Sequence, residues 1–295
     1  MARIGRREFV GAALGSGALL AGTQWARAAE EKDIDVSKLG KTPHTRFACN
    51  LEMWWRGLPF LERVKRAASF GYPAIEFWPW QGKDLDGIVQ LTKELGIEVA
   101  QFTAGSGFNR PDALDGFVKA IQEAGKAAKK LGAKKACVVP GANVAGMTEP
   151  QMHDQCTAAL KKVVPILEDN DLMLIVEPLN IRRDHKGQCL YRSEDAIRIC
   201  REVGSKYVKI NWDLYHQQIT EGDLCGHLRQ GIKEIGYVQF ADHPGRNEPG
   251  TGEVNYNRVL KEVYDLGYRG YVGLELVPKT TELAAAIAVA KADRW

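Results

Sequence analysis

From residue 46 onward the chain alternates between two apolar rhythms. Short runs that are apolar on both faces read as strands buried inside a sheet, at 47–51, 74–78, 98–103, 135–139, 173–177, 207–213, 237–241 and 271–276. Between them lie stretches with helical spacing of apolar residues, at 59–70, 85–95, 114–131, 151–169, 193–203, 223–235 and 256–266, with an alanine-rich closing segment at 281–292. Many of these helices run into a glycine (Gly71, Gly96, Gly132, Gly204, Gly236, Gly267), the residue that tolerates the left-handed turn ending a helix. Eight strand–helix units in about 250 residues predict an α/β fold, a single (β/α)8 TIM barrel over residues 46–295. A doubly wound sheet is the competitor, but no G-x-G-x-x-G follows the first strand. Residues 29–45 are polar and aperiodic, as expected of a linker or N-terminal arm.

In such a barrel, chemistry collects at the carboxyl ends of the strands. Four successive strand segments place a polar residue there: Glu177, Asp213, Gln239 and Glu275. They are separated by 36, 26 and 36 residues, each about one strand–helix unit, so they become neighbours around the rim. A carboxylate buried without a partner disfavours folding by on the order of several kcal/mol, and three that converge repel one another. A divalent cation between them removes both penalties. Two Glu, one Asp and one amide oxygen make an all-oxygen set, which suits Mg²⁺ or Mn²⁺ better than zinc. One divalent ion is therefore expected on Glu177, Asp213, Gln239 and Glu275. Two other readings stay open: the glutamates pair with core arginines, or the strand register is off by one.

Three further residues are candidate substrate contacts. His216 lies three residues past Asp213, within reach of the same pocket, where it can orient substrate oxygens or move a proton. Arg246, on the loop after the seventh strand, carries a guanidinium suited to bidentate recognition of a carboxylate. Glu76 stands near the end of the second strand, with no spacing argument behind it. Trp54, Trp55, Trp78 and Trp80 either wall an apolar side of the pocket or pack the barrel mouth.

The first 28 residues change the picture of where the protein works. Gly5-Arg6-Arg7-Glu8-Phe9-Val10 is a twin-arginine pattern, followed by a mild apolar run to Ala21 and the A-x-A site Ala26-Arg27-Ala28. This predicts a signal peptide over residues 1–28 and export to the periplasm by a route that carries folded proteins. The run is too short and glycine-rich for a permanent membrane anchor. The formal charge of +3 belongs to this segment: without its four arginines and one glutamate, 36 basic face 36 acidic residues. A neutral chain offers no phosphate-binding surface, so a small molecule rather than nucleic acid is the expected partner. A homo-oligomer is compatible with the sequence. The six cysteines form no C-x-x-C pair, and Cys49 and Cys137, in apolar runs, read as buried free thiols.

These residues also carry a family resemblance. Asn50-Leu51-Glu52-Met53-Trp54, Leu58-Pro59-Phe60-Leu61-Glu62-Arg63, Ala74-Ile75-Glu76-Phe77, Val176-Glu177, Asp213-Leu214-Tyr215-His216 and Gln239 resemble hydroxypyruvate isomerases. The stretch from Asn247 to Tyr256 and Gly270-Tyr271-Val272-Gly273-Leu274-Glu275 extend the resemblance over about residues 46–280. At a broader level the chain is similar to the xylose isomerase-like barrels, which include ketose 3-epimerases and endonuclease IV. The resemblance implies an aldose–ketose type isomerisation, hydroxypyruvate to and from tartronate semialdehyde, through an enediolate. It implies that Glu177 and Glu275 flank the substrate and exchange its proton, while its adjacent carbonyl and hydroxyl oxygens chelate the metal. Ketose 3-epimerases of this fold usually carry a histidine where Gln239 stands and a second glutamate where Arg183 stands. Both departures favour the keto-acid isomerase. The alternatives are a ketose 3-epimerase or other sugar isomerase or dehydratase with the same metal site, and a non-catalytic periplasmic sugar-binding protein.

Overall fold

The eight expected strands close on themselves in chain order as an all-parallel barrel, in a computed structural model that describes residues 34–295. They are β1 Arg46–Asn50, β2 Ala74–Pro79, β3 Glu98–Ser106, β4 Lys135–Val139, β5 Met173–Val176, β6 Val208–Asp213, β7 Ile235–Gln239 and β8 Tyr271–Leu274. Closure is made by β1 on β8, with Ala48 opposite Gly273 and Cys49 opposite Leu274. The helices are α1 Phe60–Ser69, α2 Leu85–Leu95, α3 Leu114–Leu131, α4 Glu149–Asn170, α5 Ser193–Val203, α6 Leu214–Thr220, α7 Leu224–Gly231, α8 Tyr256–Asp265 and α9 Glu282–Ala292.

The apolar runs are continuous because both strand faces are covered, one by the barrel interior and one by helices. Ala48, Ala74, Ala100, Cys137, Ile175, Tyr237 and Tyr271 form one buried cluster. These residues come from seven different strands, so they can meet only inside the barrel. Two tyrosines fill the space that three alanines leave, large against small.

Most helix ends follow the glycine rule: Gly96, Gly132 and Gly204 are left-handed caps of α2, α3 and α5. Gly236, expected as another such cap, lies inside β7. There α7 stops at Gly231, a 3-10 turn spans Ile232–Glu234, and the strand starts two residues earlier than its apolar pattern suggests. A Cβ at Gly236 would come within 2.7 Å of both the Met173 sulfur and Lys209 Cβ, so close packing, not a left-handed turn, requires this glycine. Helix α6 follows β6 directly and was not anticipated, since only seven residues carry it.

Ser37–Trp295 is one compact unit, so from Ser37 the segment expected as a linker or arm belongs with the barrel. His44 and Thr45 donate their backbone N–H to Asp293 Oδ2 at 2.8 and 3.2 Å, tying that segment to the end of the chain. The twin-arginine pattern and its cleavage site lie outside the described residues. Among the described residues no helix is long and apolar enough to cross a membrane. All six cysteines are free, five of them buried, Cys49 and Cys137 included.

Ile175 is fully buried in the interior cluster. Ile175→Ala is expected to lower unfolding free energy in urea by about 2–5 kcal/mol. A loss below about 1 kcal/mol would show that the barrel interior is not packed against this side chain.

Candidate active site at the carboxyl ends of the strands

Asp213 is the last residue of β6 and the N-cap of α6, and this double position fixes its carboxylate. Oδ1 accepts from Tyr215 N–H at 2.8 Å, as N-cap aspartates do, which leaves Oδ2 for the site. One helical turn on, His216 brings Nε2 to 3.5 Å from Asp213 Oδ2 and 3.8 Å from Glu177 Oε1. Glu177 and Glu275 stand just beyond the ends of β5 and β8, both almost fully buried. Ligand atoms of Glu177, Asp213 and His216 all lie within 4.8 Å of one another.

Arg246 closes this group. Its Nη2 donates to Glu275 Oε1 at 2.6 Å and to Asp213 Oδ2 at 3.2 Å, and the guanidinium lies 4.9 Å from the centre of the Tyr215 ring. One of the glutamates thus pairs with an arginine, although the arginine comes from a loop and not from the core. That loop is organised by Asp242, which sequence reasoning did not single out. Fully buried, Asp242 accepts from the backbone N–H groups of His243, Gly250, Gly252 and Val254 at 2.8–3.1 Å. The signal was present, an acid directly after an apolar strand and before a glycine-rich stretch. The Arg246 carbonyl in turn accepts from Val277 N–H at 2.9 Å, which pins the loop to the segment after β8.

Asn180 was also missed, and it sets the state of His216. The Asn180 backbone N–H and Nδ2 approach His216 Nδ1 at 3.5 and 2.7 Å. Its Oδ1 already accepts from the N–H groups of Arg183 and Asp184, so the amide cannot turn over. Nδ1 is therefore an acceptor and the ring proton sits on Nε2. Burial first, and then the Arg246 charge, hold His216 far below its usual pKa, so the ring is neutral. Nε2–H has no hydrogen-bond partner and points between Glu177 and Asp213. In this tautomer His216 is a donor to the site and not a ligand.

Gln239 and Glu76 are fully buried and bonded to each other. Gln239 Oε1 accepts from Asn211 Nδ2 at 2.5 Å, and Gln239 Nε2 donates to Glu76 Oε1 at 2.8 Å. Glu76 is brought to Gln239, Asn50 and Gln101 and not to the Glu177–Asp213–Glu275 group. Of the tryptophans, Trp54 is barrel-mouth packing, its indole N–H donating to the Leu274 carbonyl and its ring set against Trp55.

The profile of the xylose isomerase-like TIM barrel matches residues 64–292. The chain belongs to that family. It is 31% identical over 245 residues to hydroxypyruvate isomerase of Escherichia coli K12, covering 80% of this chain and 95% of the relative. It is 32% identical over 244 residues to 2-oxo-tetronate isomerase of Cupriavidus necator, covering 79% and 93%. Among solved structures, a family 2 AP endonuclease from Brucella melitensis superposes with a TM-score of 0.78 at 26% identity, over 82% of this chain and 96% of that one. The sequence relatives make this member of the xylose isomerase-like family an isomerase.

Charge decides what this family barrel can hold. Burial raises the pKa of Glu177, the Asp213 charge adds to it, and Arg246 only partly opposes, leaving Glu177 pushed up to about 7. Burial likewise raises Asp213, and Glu275 far more, against the pull of Arg246. Three buried carboxylates share one guanidinium, so the site is short of positive charge. The donor set and its unmet charge fit a divalent cation.

The pH dependence follows from Glu177. Its pKa is raised on folding, so the stability it contributes without metal is full below 4.5 and is lost as pH rises through about 7. A cation needs the ionised form and displaces that proton, so its stabilisation grows over the same window. The rise in unfolding midpoint produced by Mn²⁺ over an EDTA-treated sample should increase with pH across this range. A flat or falling increment contradicts the assignment.

Proposed function

We propose that the chain isomerises a small α-hydroxy-carbonyl compound, hydroxypyruvate to and from tartronate semialdehyde first among candidates. One divalent ion, Mg²⁺ or Mn²⁺, is held by Glu177, Asp213, Gln239 and Glu275. The observation that carries the reading is the convergence of three buried carboxylates under a single arginine, beside a neutral histidine donor. Both named sequence relatives are isomerases of 2-oxo acids, which supports a substrate carrying its own carboxylate.

When bound, the ion supplies Lewis-acid stabilisation of the negative charge that grows on the substrate oxygens. The rest falls to side chains of this chain. Glu177, buried at the end of β5 among the carboxylates of the site, takes the substrate proton and returns it. Glu275, the second glutamate of the group, serves as its counterpart at the neighbouring carbon. Arg246 binds the substrate carboxylate through its fork, exchanging part of its pairing with Glu275. His216 Nε2–H donates to a substrate oxygen as it gains charge, and Asn180 keeps the proton on that nitrogen. The twin-arginine pattern of residues 1–28 supports periplasmic export of the folded enzyme.

A ketose 3-epimerase uses the same proton chemistry and differs in where the proton returns. Gln239 and Arg183, standing where those enzymes usually carry His and Glu, favour the isomerase. Exchange of substrate C–H for deuterium in D₂O, followed by NMR with hydroxypyruvate, tests the reading. Glu177→Gln and Glu275→Gln should each slow the exchange by about 10²- to 10⁴-fold. The reading fails if both variants exchange like the wild type, and a wild type that binds without exchange is a sugar-binding protein instead.

A further inference from the structure

Glu76 is a buried carboxylate that the chemistry above does not use. It has no exposed surface, and both its oxygens are occupied: Asn50 Nδ2 and Gln239 Nε2 donate to Oε1 at 2.9 and 2.8 Å, and Gln101 Nε2 donates to Oε2 at 3.1 Å. It therefore has no free face for a substrate. Its contact with Gln239 is also a long-range one, since β2 and β7 are separated around the barrel by β1 and β8.

Gly273 makes that contact possible. It lies in β8, opposite Gln239 on one side and opposite Ala48 of β1 on the other. A Cβ at Gly273 would stand 2.4 Å from Glu76 Oε2 and 2.7 Å from Oε1. Any other residue would fill the slot through which Glu76 reaches across to β7.

The consequence lies in the chemistry of an amide. Its oxygen coordinates a hard cation and its NH₂ group does not, yet the two ends have almost the same shape, so a glutamine in a neutral pocket can present either. Asn50 Oδ1 accepts from the Glu52 N–H, which turns the Asn50 nitrogen to Glu76 and makes Glu76 Oε1 an acceptor, so the end of Gln239 that meets this oxygen is the nitrogen. The oxygen is left on the side of β6, where Asn211 holds it at 2.5 Å and Asp213 is the residue in register. The same Asn211 Nδ2 reaches Cys137 Sγ at 3.7 Å, and Cys137 in turn donates to Glu177 Oε2 at 3.3 Å, so the Gln239 oxygen lies on the side that leads to the carboxylate group.

We propose that Glu76 is a positioning residue, which takes the nitrogen end of Gln239 across the slot at Gly273 and so commits the oxygen end to the cation. This rests on Gln239 being a ligand. Such outer partners typically contribute roughly 10- to 100-fold to metal affinity.

A double-mutant cycle read by calorimetric Mn²⁺ binding, with no turnover involved, tests it. Wild type, Glu76→Gln, Gln239→Leu and the double variant are compared. In Glu76→Gln the introduced amide can donate to the Gln239 oxygen, which allows the Gln239 amide to turn over. Glu76→Gln should weaken Mn²⁺ binding about 10- to 100-fold, and the double variant should bind no more weakly than Gln239→Leu alone. A merely structural Glu76 gives losses that multiply, and that result overturns the proposal, as does a Glu76→Gln that binds like the wild type beside a weakened Gln239→Leu. If Gln239→Leu itself binds like the wild type, the ligand assignment falls and the proposal falls with it. Should Glu76→Gln fail to fold, Glu76→Asp is read in the same cycle. Its carboxylate is one methylene shorter, and the same coupled loss is expected, an uncoupled one overturning the proposal.

Discussion

Three carboxylates are buried at one end of the barrel, and the Arg246 guanidinium pairs with two of them, Asp213 and Glu275, leaving Glu177 without such a partner; much of the surrounding structure serves that contact. Burial works against each charge, and the acids repel one another. The single guanidinium of Arg246 leaves Glu177 pushed up to about 7. Such an arrangement costs stability, and a closed barrel with a packed interior can carry that cost. The same imbalance that penalises the fold prepares the site for a cation.

Around this contact the structure uses its polar groups for orientation. Asp213 gives one oxygen to capping α6 and keeps the other for the site. Asp242 gathers four backbone N–H groups so that the loop carrying Arg246 has one shape. Asn180 fixes the tautomer of His216 through a ring nitrogen on the side away from the carboxylates. In each case a hydrogen bond from a neighbouring group removes a degree of freedom from a group that reaches the site. Preorganisation of this kind lets a short side chain act without a cost of ordering at the moment of reaction.

Much of this is legible in the chain. Strand spacing predicts the closed barrel, and strand-end position with unit-length separations singles out Glu177, Asp213 and Glu275. His216 and Arg246 also stand out, by place and by charge type. The pairing of Arg246 does not: the sequence suggests a substrate contact, while the structure joins it to Glu275 and Asp213. Asn180, Asn211 and Asp242 escape notice, because an uncharged amide or a loop acid has no periodicity to betray it. Glu76 stands out for the wrong reason, as a strand-end acid facing a ligand, whereas its partners are amides from three other strands.

What the sequence by itself determined is the barrel, its order of strands, and the identity of the acids at its carboxyl face. Those follow from local rules, since apolar rhythm, glycine ends and unit-length spacing act on residues near one another in the chain. Only the tertiary structure decided which acid meets the arginine, which nitrogen of His216 holds the proton, and which end of Gln239 faces Glu76. Each of these is settled by a contact between elements far apart in sequence, 163 residues for Glu76 and Gln239, whose hydrogen-bond directions no local pattern encodes. Gly273 shows the difference most plainly. In the sequence it is a weak point in a strand, and in the barrel it is the space through which one of those contacts is made.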